Sequence, residues 1–162
     1  MIVTAIKIVL LIAFVILIAL AIGLVVMAGV AQSHDVVRIP VPQSTFVAGT
    51  EPKSIYSDAY VAPMEYSTFR DIDRVAQLAF HRGTKEVHRD EREVAYEGTM
   101  LGLSYTISYI LMKDSSPQTL TVATTVRIVE PKKGKYCWMV AKHVHRHLLP
   151  YLLDRMVITA PD

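Results

Sequence analysis

The plainest pattern along the chain is an absence: from residue 8 to residue 31 no charged or strongly polar side chain interrupts the apolar run. As a helix this stretch extends about 36 Å, more than the roughly 30 Å hydrocarbon core of a bilayer. Backbone in lipid must satisfy its own hydrogen bonds, and a lone segment does so as a helix, so the pattern predicts one transmembrane helix. The competing reading is a cleavable signal peptide, with Gly29 and Ala31 as small residues before a cut at Gln32. The run is longer than the roughly 7 to 15 apolar residues of a signal segment, which favours an anchor.

Beyond residue 31 polarity becomes ordinary. Pro40, Pro42, Gly49, Pro52 and Pro63 break any long helix there, so 32–57 reads as a membrane-proximal linker with short extended pieces such as 36–41. A first strand is expected near 57–61. Helical spacing then appears at Phe69, Ile72, Ala76, Ala79 and Phe80. Ser67 or Thr68 would cap that helix, Asp71 and Asp73 fall early in it, and Arg82 and Gly83 close it.

Three strand-like segments follow, at 86–96, 100–112 and 119–129. In the second, Leu101, Leu103, Tyr105, Ile107, Tyr109 and Leu111 fall on one face, and Gly102, Ser104, Thr106 and Ser108 on the other. Leu120, Val122, Thr124, Val126 and Ile128 repeat the alternation, after a polar hairpin loop at 114–118 containing Pro117. Consecutive antiparallel strands with one covered face are expected. Gly134 reads as a breaker before a helix over 135–156, whose stripe is Tyr136, Val140, Val144, Leu148, Leu152 and Met156 and which Pro150 should kink or divide. The predicted class is α+β: a transmembrane helix (1–31), a linker (32–57) and one soluble domain (58–162), an antiparallel sheet with a long C-terminal helix packed across it.

Charge narrows the functions. Seventeen basic and 15 acidic residues give a net charge of +2, without a basic stripe, which argues against a nucleic-acid partner. The N-terminal amine and Lys7 are unopposed, whereas Asp35 and Arg38 balance beyond the helix. The positive-inside rule then places the N-terminus in the cytoplasm and the domain in the periplasm, for a cell or inner membrane of a bacterium. The only cysteine, Cys137, excludes an intrachain disulfide and a multi-cysteine metal site. Ala19 and Gly23 share one helix face whose small side chains allow a second membrane helix to approach closely.

Candidate chemistry is sparse. His143 and His147 have the one-turn spacing of a two-histidine metal pair, but a third ligand is not apparent, and no metal or cofactor is predicted. The charged cluster of His81, Arg82, Lys85, His88 and residues 89–93 suits a solvated turn and cross-strand pairs better than acid–base chemistry by Glu91 or Glu93, so no catalytic residue is predicted. Tyr96, Tyr105, Tyr109, Tyr136 and Trp138 are the set that could line an apolar ligand cavity between sheet and helix, with core filling as the plainer alternative.

One resemblance concerns the last hundred residues, from Asp58 onward. Gly134, Lys135 and Tyr136 lead to the pair His145 and Arg146, then to Leu148, Leu149, Leu152, Leu153 and Arg155, after a strand at 121–128 rich in threonine and valine with Arg127 near its end. This order resembles a bacterial family of uncharacterised domains related to the START-like (SRPBCC, helix-grip) superfamily. The chain departs from it at Val144, where the family tends to carry an aromatic residue, and at Pro150. The resemblance implies a curved antiparallel sheet gripping a long helix, a shape able to enclose an apolar ligand, and implies no particular reaction.

The leading functional expectation is a non-catalytic, single-pass accessory or structural subunit of a multisubunit membrane complex, such as a photosynthetic or respiratory energy-transducing one. Its partners would be integral membrane subunits, met through the N-terminal helix and the domain surface, and lipid. The alternative is a membrane-tethered START-like binder of a lipid or other apolar small molecule. Third is an enzyme or metal protein built on His143 and His147.

Overall fold

The computed structural model describes residues 2–33, 35–50, 54–64, 71–79, 83–114 and 117–159. The first element, α1 (Ile2–Ser33), contains the span Ile6–Val26, long and apolar enough to cross a membrane. Every described side chain from Ile6 to Ile22 is exposed. After Asp35, whose positive φ turns the chain, comes the short edge strand β1 (Val37–Ile39), then α2 (Phe46–Thr50) and β2 (Tyr56–Pro63). Next are α3 (Ile72–Leu78), β3 (Lys85–Arg89), β4 (Glu93–Met100), β5 (Leu103–Met112), β6 (Thr119–Ile128) and α4 (Pro131–Thr159).

The strands form one antiparallel sheet in the order β1-β2-β6-β5-β4-β3. β3 to β6 are a meander, and β6 returns beside β2. One face meets α4, lying over β2 and β6, and α3, lying over β4 and β5. Tyr60, Val94, Tyr96, Ile107, Tyr109, Leu111, Leu120 and Val122 project from that face into a core shared with Ile72 and Val75 of α3 and Leu149, Leu153 and Met156 of α4. The class is α+β, as the alternating pattern and the terminal helix predict.

The expectation of one covered face is corrected. The opposite face carries Ala59, Ala123, Ser108, Thr125 and Ile110, all buried, under the segment holding Val41 and Val47. Small side chains on that face let backbone come close, and two of its polar groups are matched from above. Thr50 Oγ1 lies 2.6 Å from Thr125 Oγ1, and the Phe46 N–H donates to both oxygens of the buried Glu93 carboxylate at 3.0 and 2.9 Å. A face of serine and threonine reads as solvated in sequence because its cover, α2, is only five residues long.

Other boundaries also move. The strand expected over 86–96 is two strands, because Asp90 Oδ1 accepts from the N–H groups of Arg92 and Glu93, both at 2.7 Å, and folds the chain into a turn. Leu101 leaves the core face expected of it. With Gly102 it forms the two-residue turn between β4 and β5, both at positive φ, and its side chain is exposed. The first soluble helix is capped by Asp71, which accepts from the Arg74 N–H at 2.9 Å. Ser67, Thr68, Phe69, Phe80, His81 and Arg82 lie outside the described residues, while Ile72, Ala76 and Ala79 of the predicted stripe are buried.

In α4, Gly134 is an interior helical residue and not a breaker. A Cβ there would sit 2.5 Å from the Gly102 carbonyl oxygen, so glycine is what lets the β4–β5 turn rest on the first turns of the helix. Tyr136, two residues on, therefore points the opposite way, and it and Val140 are 74% and 69% exposed instead of buried. Pro150 lies inside the helix without ending it. α1 also packs against α4, tying the apolar helix to the domain.

Candidate functional site

Antiparallel pairing puts Tyr56, Asp58 and Tyr60 of β2 on the face under α4, and places Arg38 of β1 opposite Tyr60. The Asp58 side chain is almost fully buried and gathers donors from both sides. Arg38 Nε donates to Oδ1 at 2.5 Å, the Tyr56 and Tyr60 hydroxyls donate to Oδ2 at 2.6 and 2.8 Å, and the Ala59 N–H donates to Oδ1 at 3.1 Å. Both oxygens are engaged. Arg38 keeps most of its side chain in solvent, so a rim cation neutralises an interior carboxylate.

The charges reinforce this arrangement. Burial and donation to Asp58 push both the Tyr56 and Tyr60 hydroxyls above the ordinary phenol range, so they stay protonated donors. The hydrogen bond to Asp58, then its charge, raises Arg38 further.

Above the carboxylate a cleft of about 360 Å³ opens between β2 and α4, its helix side formed by Trp138, Lys142, His143 and Arg146. Lys142 and Arg146 are one turn apart and share a helix face. Neither makes an ion pair among the described residues, whereas Tyr60 also reaches the Arg146 carbonyl oxygen at 3.2 Å and fixes the helix height over the strand. Behind the rim, His145 packs its ring edge-on to Tyr56 at 5.3 Å and to Trp138 at 6.3 Å. Its Nδ1 is sealed from solvent with no hydrogen-bond partner among the described residues, and burial lowers its pKa to about 4 against the opposing pull of Asp58. A second recess of about 410 Å³, lined by Ile39, Pro40, Val41, Gln43 and Ser57, shares Arg38 and Asp58 with the first.

The aromatic set named from sequence is dispersed. Tyr96 and Tyr109 meet edge-on in the core at 6.4 Å, and Tyr105 lies across Gly98, opposite it on β4. Tyr136 is exposed, and Trp138 alone of the five borders the cleft. His143 lines the cleft and His147 is half-buried; among the described residues no three histidine, cysteine or acidic side chains converge as metal ligands. Ala19 is exposed on α1, and Gly23 has open space where a Cβ would lie. Glu93 caps α2, and Arg89 is held by Glu86 and Asp73. Sequence reading passed over Arg38, Asp58, Tyr60 and Lys142, although tyrosine, aspartate and tyrosine at alternate positions 56, 58 and 60 signal a carboxylate between two phenols on one strand face.

No family model matches this chain, and no curated protein matches it. Among solved structures, the crystal structure of TTHA0849 from Thermus thermophilus is similar over 65% of this chain and 98% of its own, at 10% identity and a TM-score of 0.34.

Proposed function

We propose that this protein is a non-catalytic, single-pass membrane subunit whose helix and domain surface dock onto an integral membrane partner. The observation that carries the reading is α1: an apolar cylinder with every described side chain from Ile6 to Ile22 exposed, joined by packing to a domain with its own core. Water solvates such a surface poorly, and lipid or another apolar helix covers it well. Ala19 and the open space beside Gly23 support a helix partner on that face. Lys7 favours a cytoplasmic N-terminus and a periplasmic domain.

Three polar groups outside the cleft support a structural reading as well. Glu93 caps α2, Asp90 makes a turn, and Arg127 joins Glu97 at 2.7 Å across the sheet. Each of these groups is used in holding an element in place. Purification of the full chain from native membranes in mild detergent tests the proposal. An integral membrane partner should co-elute in constant ratio, Gly23→Leu should release it, and Lys132→Gln should not. Recovery of the unsubstituted chain as a free monomer would overturn the reading.

A further inference from the structure

We propose that the cleft between β2 and α4 is a binding site for a phosphate-bearing ligand. Its floor is already neutralised: both Asp58 oxygens are filled by Arg38, Tyr56, Tyr60 and a backbone N–H, so the carboxylate has little capacity left for an incoming cation. Its rim carries Lys142 and Arg146 beside Arg38, whose charge Asp58 already balances, and the described residues supply no acidic partner to Lys142 or Arg146. Cations gathered without counter-charge repel one another and are stabilised by an anion between them.

The geometry favours phosphate over a simple halide or a cation. Guanidinium groups offer forked N–H donors that match tetrahedral oxyanions, and an ammonium adds a mobile point charge. The volume, about 360 Å³, is that of a small-molecule site, and Trp138 and Tyr56 supply an aromatic wall beside the charges. Arg38 stands five positions beyond the last residue of α1, and α4 packs on α1, so an anionic lipid headgroup is within reach of the same donors as a soluble phosphate compound. This inference does not depend on the membrane partner proposed above.

Trp138, the only tryptophan, lines the cleft, so its fluorescence reports on occupancy. The full chain is reconstituted in phosphatidylcholine nanodiscs and titrated with inorganic phosphate at constant ionic strength. In a parallel arm, phosphatidylglycerol is introduced into the nanodisc lipid. A saturable change in Trp138 emission is expected in at least one arm, and the responding arm assigns the source, soluble phosphate or headgroup. Arg146→Gln and Lys142→Gln should each weaken the response about tenfold, as loss of a charge-assisted contact predicts. Arg146→Lys should retain most of it, and Lys132→Gln, outside the cleft, all of it. No response in either arm, or an undiminished response in the doubly substituted Lys142→Gln, Arg146→Gln chain, overturns the proposal.

Discussion

An imidazole ring buried away from water makes the folded chain a poorer proton acceptor than the unfolded one. His145 titrates at about 4 when folded, against an ordinary value of 6.5. Between these values the unfolded chain binds the proton and the folded chain does not, so stability rises as pH rises through that window and levels above it. The expected loss on going from pH 7 toward pH 4 is roughly 1 to 3 kcal/mol from this group. Replacing it, His145→Phe, keeps a ring against Tyr56 and Trp138 and should flatten the dependence of the urea midpoint; an unchanged slope in the variant would show that another group is responsible. Leu101, exposed at a positive φ, is the complementary case. Leu101→Asn should stabilise by about 1 kcal/mol, since asparagine tolerates this conformation, and an unchanged or lowered melting temperature would contradict it. Neither consequence is legible in the sequence: His145 lies between two other histidines, and the period-2 pattern assigns Leu101 to the strand.

At the scale of elements, α4 shows how contact geometry overrides pattern. By propensity Gly134→Ala should stabilise a helix by about 1 kcal/mol. The new Cβ, however, would lie 2.5 Å from the Gly102 carbonyl oxygen and 2.9 Å from Ile128 Cγ2, and a backbone atom cannot turn aside as a side chain does. The net expectation is destabilisation by about 1 to 3 kcal/mol, read as a lowered melting temperature. A stabilised variant would mean that helix and turn separate freely. The same contact sets the rotation of α4: it turns Tyr136 outward and presents Trp138, Lys142 and Arg146 to the cleft. The long helix and most strands were legible from the spacing of their apolar residues, although Gly134, read as a breaker, lies inside the helix. The rotation was not, because a glycine with neighbouring lysines carries no hydrophobic signal.

For the whole molecule, the relation between α1 and the domain matters most. An apolar helix of this length and a domain with cores on both sheet faces are separately intelligible, and packing of α1 on α4 holds the domain close to where the span ends. On the two proposed readings, that placement would set the domain surface against a membrane partner and the cationic cleft beside headgroups. Both readings then have distinct experimental signatures: Gly23→Leu acts on the partner and leaves phosphate binding intact, and Arg146→Gln does the reverse.

The sequence by itself determined the features that depend on one period or one composition: the apolar helix, the alternating strands and the helix after them. Those signals are local, since hydrophobic residues at fixed spacing bury one face wherever the element ends up. Only the tertiary structure decided what depends on two distant segments meeting. Arg38 reaches Asp58 because β1 joins the sheet edge, Thr125 is covered because α2 folds back over it, and Lys142 and Arg146 form a rim because α4 crosses β2. A lone arginine, an aspartate between tyrosines and two helical cations have no common period, and it is the sheet register and the turn at Gly102 that bring them to one cleft.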